Sequence, residues 1–116
     1  MIVGVQGSRN FDDYTIFLRA MGTALSMMEG GDSEFLIYSV GPAKVNSMAI
    51  EFANVTERSM KAQGIKIKVN KVPFSWAKDN MFVLNYFAYF GKPGDRQSEL
   101  VDIADRKNVE AGVYRY

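Results

Sequence analysis

Hydrophobic and polar positions follow two different periods along this chain. Short runs of β-branched and aromatic residues alternate with segments in which apolar residues recur every three to four positions. The short runs predict strands, and the longer segments predict amphipathic helices. We predict strands at residues 1–6, 35–39, 65–70, 82–90 and 109–116. We predict helices at residues 13–29, 45–62 and 75–82, and a fourth helix that begins at Ser98.

This alternation of strands and helices indicates an α/β fold. Successive strands joined by a helix become parallel neighbours through a right-handed crossover. A chain of 116 residues has the size of a single domain. We therefore predict one domain over residues 1–116, a Rossmann-like three-layer sandwich with a mostly parallel sheet of about five strands.

The composition of individual strands predicts their places in the sheet. The segment 82–90 is apolar at nearly every position, which favours a strand buried on both faces. In the segment 65–70, isoleucine and valine alternate with lysine and asparagine, which favours a half-exposed edge strand. In the last strand, the alternation places the aliphatic residues on one face and Tyr114 and Tyr116 on the other.

Polar residues and glycines predict where the helices begin and end. Asp12 is the expected N-cap of the first helix, and Gly30 takes the C′ position after it. Gly64 is expected to close the second helix. Ser75 and Ser98 are the expected N-caps of the third and fourth helices.

Composition excludes several classes of chemistry. The chain has no Cys and no His, so disulfides, a thiol nucleophile and an imidazole general base are excluded. A zinc site would need carboxylates alone, which zinc rarely accepts, so we expect neither a metal nor another cofactor. No apolar run reaches about 18 residues and no export signal is recognisable, so we expect a cytoplasmic protein without membrane contact.

One basic segment contains aromatic residues. Lys61–Lys78 carries five lysines and no acid, with Phe74 and Trp76 among them. Such a segment can bind single-stranded nucleic acid through phosphate contacts and base stacking. The net charge is only +1, so we prefer the interpretation that these lysines form the solvated face of an edge strand.

Three glycine-containing loops follow predicted strands, at Gly7–Asn10, Val40–Lys44 and Gly91–Gln97. Parallel strands end at one edge of the sheet, and doubly wound sheets bind ligands at that edge. The glycine of the first loop permits a close backbone approach. Ser8 offers a hydroxyl, and Arg9 offers a planar fork of donors that suits phosphate or carboxylate.

The loop motifs resemble a known superfamily. Gly7–Phe11 resembles the G-S/G-R-D/N-F motif of small stand-alone SLOG domains, a Rossmann-like group that includes LOG-type phosphoribohydrolases and DprA proteins. Val40–Ala49 resembles that group's G-G-A-R-G-A-D-T-L-A motif, with Asn46 and Ser47 at the Asp and Thr positions. Lys78–Met81 resembles R-N-x-x-M, and Pro93–Ser98 falls on P-G-G-x-G-T.

The resemblance implies that a nucleotide or nucleotide-derived small molecule binds at the carboxyl edge. Arg9 would pair with its phosphate or carboxylate, Gly7 and Gly41 would give backbone access, and Phe11 would stack on a base. Ser8, Asn46 and Ser98 would hydrogen-bond ribose or phosphate. The implied ligand-binding residues are Gly7, Ser8, Arg9, Asn10, Phe11, Gly41, Lys44, Asn46, Ser47, Asn80, Gly94, Arg96 and Ser98. Asn46 and Ser47 can also act simply as helix caps.

The chain also departs from the SLOG motifs. The second loop lacks one glycine and has Lys44 in place of arginine, and Asp95 and Gln97 replace glycines of the third loop. The catalytic arginine and glutamate of LOG-type enzymes have no match. Two alternatives therefore stay open. One is an interaction protein that kept the fold and lost the ligand. The other is a nucleotide N-glycosidic hydrolase with Asp95 or Glu99 as the acid/base.

We also expect a homo-oligomer. The chain has more aromatic residues than a small core readily buries, and related SLOG proteins often pair. The residues on which this expectation rests are Trp76, Tyr86, Phe87, Tyr89, Tyr114 and Tyr116.

Overall fold

A computed structural model describes residues 1–41, 43–92 and 98–116 of the chain. The strands are β1 (Ile2–Gly7), β2 (Glu34–Val40), β3 (Lys66–Val72), β4 (Tyr86–Gly91) and β5 (Glu110–Arg115). The helices are α1 (Tyr14–Ser26), α2 (Ala43–Ala62), α3 (Phe74–Asn80) and α4 (Glu99–Arg106), and a 3-10 turn, Met81–Val83, follows α3. All strand pairs are parallel, in the order β3-β2-β1-β4-β5. The α/β sandwich is thereby confirmed.

Two hydrophobic cores lie on opposite faces of the sheet. On one face, which we call the α1/α2 face, Val3 and Val5 of β1 pack with Phe17 of α1 and Phe52 of α2. On the other, the α3/α4 face, Phe87 and Tyr89 of β4 pack with Ala77 of α3 and Leu100 of α4. The alternation of side chains along each strand assigns residues to these two cores.

The predicted places of β3 and β4 in the sheet are confirmed. Every residue of β4 is buried between β1 and β5, and β3 is an edge strand whose lysines are exposed. However, β4 begins four residues later than predicted. Leu84 covers Gly4, and the Asn85 side chain accepts a hydrogen bond from the Ile2 N–H at 2.7 Å, so the residues before Tyr86 pack without extending the ladder.

Two of the predicted helix ends are confirmed, and the predicted start of α1 is wrong by one residue. Gly64 has φ +76 after α2, and the Ser98 side chain accepts from the Leu100 N–H at the start of α4, so both predictions are confirmed. Asp12 is not the N-cap of α1, because Asp13 Oδ1 accepts from the Ile16 N–H at 3.1 Å.

Three further capping predictions are wrong. Helix α1 ends at Ser26 rather than near Gly30, because the Met27 N–H bonds to the Ala24 and Leu25 carbonyls with Met27 still in the right-handed region. Ser75 lies within α3, which begins after Pro73 without a side-chain cap. Asn46 and Ser47 are the fourth and fifth residues of α2, so neither is its N-cap residue.

The aromatic residues do not require a partner subunit. Tyr86, Phe87 and Tyr89 are buried in the core. The other three are half-buried and pack on neighbouring rings: Trp76 stacks on Tyr38, Tyr114 stacks on Phe90, and Tyr116 is tilted against Phe11. The fold therefore accommodates these side chains, and the prediction of an oligomer loses its original basis. In the residues that the structure describes, no helix is both long and apolar enough to cross a membrane.

Candidate functional site at the carboxyl edge

The strand order identifies one edge of the sheet as the candidate site. Strand β1 lies between β2 and β4, and the chain leaves β1 toward the α1/α2 face but leaves β4 toward the α3/α4 face. Ligands of open α/β sheets bind at such a switch point, outside the carboxyl ends of the strands. We call this region the carboxyl edge: the described residues after β1, β2, β4 and β5, with the first turns of α2 and α4.

The turn after β1 is held by contacts with β4 and with the end of the chain. The Ser8 N–H donates to the Phe90 carbonyl at 2.8 Å, and the Phe11 N–H donates to the Ser8 carbonyl at 3.1 Å. The Ser8 hydroxyl lies 2.5 Å from the Tyr116 hydroxyl. A hydroxyl can both donate and accept, so each of the two keeps capacity for a further hydrogen bond.

Two predicted ligand-binding residues instead form part of the core. Phe11 is 0% exposed and stacks on Phe90, with ring centroids 4.5 Å apart and an angle of 10° between the rings. It is therefore not available to stack on a base. Gly7 is buried as well, and a Cβ there would lie 3.1 Å from Phe11 and 3.3 Å from Val45. The close packing of Phe11 and Val45 accounts for a glycine at this position, and the buried backbone is not accessible to a ligand.

The first and second loops meet through an ion pair. Lys44 Nζ lies 3.6 Å from Asp12 Oδ2, with side chains 54% and 69% exposed. Such an exposed pair contributes only about 0–1 kcal/mol, so Lys44 can exchange Asp12 for a bound anion at little cost. Arg9 and Asn10, in the same turn as Asp12, are exposed, and Arg9 has no carboxylate partner among the described residues.

The second loop has the backbone conformation that its glycine permits. Gly41 is exposed with φ +89, in the left-handed region that favours glycine. Helix α2 begins two residues later and is 20 residues long, with Lys44 in its first turn. Amides at the start of a helix favour anions. Asn46 is half-buried and Ser47 exposed, both within the first turns of this helix.

Asn80 does not belong to this edge. Helix α3 starts after the carboxyl end of β3 and returns toward the amino end of β4, and Asn80 is its last residue. Its side-chain amide donates to the Trp76 carbonyl at 2.9 Å, which is a contact within its own helix. Gly94 and Arg96, and the alternative acid Asp95, lie outside the described residues.

Sequence reasoning missed Gln6, whose side chain bridges the switch point. The Ser98 hydroxyl donates to Gln6 Oε1 at 2.5 Å and also accepts from the Leu100 N–H at 3.2 Å. Gln6 therefore joins the end of β1 to the start of α4. The available signal was that Gln6 is the only polar side chain in the strand Ile2–Gly7.

Four cations lie at this edge, as many as the described acids Asp12, Asp13, Glu99 and Asp102. Arg9, Lys44, Lys92 and Arg115 all follow or end a strand, or lie in the first turn of α2. Arg115 Nη1 donates to the Lys92 carbonyl at 3.2 Å.

Three of these acids have identified donors or ion-pair partners. Asp12 pairs with Lys44, and Asp13 accepts from a helix amide. Glu99 pairs with Lys78 at 3.4 Å, which places this alternative acid/base in a surface ion pair. Within the described ranges, no group of three or more carboxylates is placed to hold a metal ion. Arg9 and Lys44 are exposed at this edge, so both cations can contact an anion.

The structure also divides the basic segment. Lys66 and Lys68 lie on the α3/α4 side of β3, whereas Lys61 is on α2, on the opposite face. Lys78 is paired with Glu99. The five lysines therefore do not form one continuous nucleic-acid surface.

No protein-family model matches this chain, and no curated protein or solved structure is significantly similar to it. The SLOG resemblance stays a prediction.

Proposed function

We propose that this chain binds a nucleotide or a nucleotide-derived anionic small molecule at the carboxyl edge. The observation that carries the proposal is the Asp12–Lys44 contact at 3.6 Å, which brings the loop after β1 to the first turn of α2. Arg9 lies three residues before Asp12 in the first loop, and Gly41 lies three residues before Lys44 in the second. An anion at this corner would meet an arginine fork, an exchangeable lysine and helix amides.

The base would not stack on Phe11, so its contact must come from another ring. Tyr116 is half-buried at the same edge, and its ring packs on Phe11 with centroids 5.0 Å apart. Its hydroxyl lies beside Ser8, where it can also reach a ribose or phosphate oxygen. Tyr116 therefore replaces Phe11 as the aromatic residue that we assign to the ligand.

Thermal unfolding with a nucleotide panel tests this proposal. The panel contains nucleoside mono-, di- and triphosphates, cyclic nucleotides and NAD-related compounds. A compound at a hundredfold excess over its Kd stabilises by about 2.7 kcal/mol, which corresponds to a Tm rise on the order of 10 °C at this chain length. Titration calorimetry of the best compound then gives Kd for each variant.

Arg9→Ala is the decisive variant. Loss of a charge-assisted contact costs about 1.5–3 kcal/mol, so we expect Kd to rise at least about tenfold. Arg58→Ala is the matched control, because Arg58 is an exposed arginine about 21 Å from Lys44 along α2. If no compound raises the Tm, or if Arg9→Ala and Arg58→Ala bind equally well, the proposal fails.

One observation favours a second candidate function. The first loop is filled by its own residues, since Phe11 and Val45 cover Gly7 and Tyr116 contacts the Ser8 hydroxyl. An interaction protein that kept the fold and lost the ligand would have such a closed loop. It would show no Tm rise with the panel, and Arg9→Ala would leave its partner binding unchanged.

A further inference from the structure

The two edge strands of the sheet, β3 and β5, each border a groove; the grooves are similar in size and opposite in charge. Beside β3, a groove of about 530 Å³ is lined by Lys61, Lys66 and Lys68 together with one acid, Glu57. We call it the basic edge groove. Beside β5, a groove of about 550 Å³ is lined by three acids and by neither Lys nor Arg. We call it the acidic edge groove; its acids are Asp102, Asp105 and Glu110.

The grooves lie at the same level of the sheet. One row of paired residues runs across all five strands, from Val69 in β3 through Ile37, Val3 and Tyr86 to Glu110 in β5. The basic edge groove reaches Lys68, one residue before this row, and the acidic edge groove includes Glu110 within it. A second copy placed beside the first, with its sheet continuing the same rows, would bring one groove against the other.

The charges also match face by face. Ile67 and Val69 pack in the core of the α1/α2 face, so Lys66 and Lys68 point to the α3/α4 face. Helix α4, with Asp105, lies on that same α3/α4 face at the other end of the sheet. A neighbouring copy would therefore place Asp105 beside Lys66 and Lys68.

The second pair of charges lies on the opposite face. Ala111 packs in the core of the α3/α4 face, so Glu110 points to the α1/α2 face. Lys61 is on α2, which covers that face beside β3. The same placement of two copies would therefore bring Glu110 near Lys61.

The uncovered part of the sheet adds apolar surface to this contact. On the α3/α4 face, Leu36 of β2 is only half-buried, and Val113 of β5 is 38% exposed. Helix α4 packs on β4 and β5, so in a neighbouring copy it would lie beside this surface. Edge strands also present unpaired N–H and C=O groups that a further strand can satisfy.

We propose that copies of this chain associate edge to edge, with β5 of one protomer beside β3 of the next. Pairing of two β3 edges would place lysine against lysine, and pairing of two β5 edges would place acid against acid. The favoured contact is therefore head-to-tail, which produces rings or open filaments rather than a twofold dimer. The association does not depend on the proposed nucleotide site.

The dependence of the oligomeric state on salt concentration tests the association. Sedimentation velocity at about 50 mM salt should show the wild type above its monomer mass of 13.0 kDa, increasingly so with concentration. About 500 mM salt should return it toward the monomer, because it screens the exposed charges. A wild type that stays monomeric at millimolar concentration in low salt would overturn the proposal.

Two double variants make the test specific. Lys61→Glu/Lys68→Glu inverts the basic edge, and Asp105→Lys/Glu110→Lys inverts the acidic edge. All four side chains are exposed, so both proteins should fold, which circular dichroism checks. Each variant alone should be monomeric, and an equimolar mixture should assemble, because every native edge then meets a complementary edge. A mixture that stays monomeric would overturn the proposal.

A control and a competing occupant complete the design. Arg19→Glu changes an exposed charge on α1 that lines neither groove, and it should assemble like the wild type. The competing occupant of the basic edge is single-stranded nucleic acid. Tight binding of labelled oligothymidylate by a monomeric wild type, lost in Lys61→Glu/Lys68→Glu, would assign the lysines to nucleic acid and overturn the association.

Discussion

Gly112 in β5 should tolerate no side chain, because two tyrosine hydroxyls lie above it. A Cβ at this position would lie 2.1 Å from Tyr86 Oη and 2.8 Å from Tyr114 Cε2. The two hydroxyls are hydrogen-bonded to each other at 2.5 Å. Tyr86 is only 3% exposed, and the Tyr114 ring stacks on Phe90. Neither ring can therefore move away without disturbing its neighbours.

The expected cost of Gly112→Ala follows from these contacts. Overpacking of a closely packed site costs about 1–3 kcal/mol. Loss of the hydrogen bond between Tyr86 and Tyr114 adds about 1 kcal/mol. Alanine loses less conformational entropy than glycine when a strand forms, which offsets about 0.5–1 kcal/mol of this cost. We therefore expect the free energy of unfolding to fall by about 1–3.5 kcal/mol, a large part of the about 5–15 kcal/mol typical of a domain.

Urea unfolding followed by circular dichroism measures this cost. The Tyr86→Phe background removes Oη, the atom nearest the new methyl group, so the cost of Gly112→Ala should fall there by at least about 1 kcal/mol. Gly22→Ala is the control, since Gly22 is in α1 with no atom near its added Cβ. It should stabilise the fold by up to about 1 kcal/mol. A neutral Gly112→Ala, or an equal cost in both backgrounds, would refute the reasoning.

Two further predictions concern the same fold. Burial raises the pKa of Tyr86, and the Tyr114 hydroxyl raises it further, so the unfolded chain ionises first and stability should fall as pH rises above about 10. Unfolding measured from pH 8 to 11 should show a shallower alkaline loss in Tyr86→Phe, and an unchanged slope would contradict this. Ser98→Ala removes the cap of α4 and the donor to Gln6, so it should cost about 1 kcal/mol in urea unfolding, while Ser98→Thr should retain most of the stability. Equal stability of wild type and Ser98→Ala would contradict the capping role.

The order of the elements and the class of the fold can be predicted from the amino-acid sequence alone. Burial on two faces requires an apolar residue at nearly every position, as in β4, whereas an edge strand tolerates the lysines of β3. These requirements act on each strand separately, so they can be read from a short segment. The same holds for Gly64 and Ser98, whose roles depend on residues within one turn of helix.

Which candidate residues are exposed at the carboxyl edge depends on contacts between distant segments of the chain. Phe11 follows a glycine loop that resembles a ligand-binding motif, yet its ring lies on Phe90 in the core. Ser8 contacts Tyr116 across 108 positions of sequence, and Gln6 contacts Ser98 across 92. The chemical type of a side chain is a local property, but its exposure and its partners depend on segments far along the chain. Those segments meet only when the parallel strands assemble side by side.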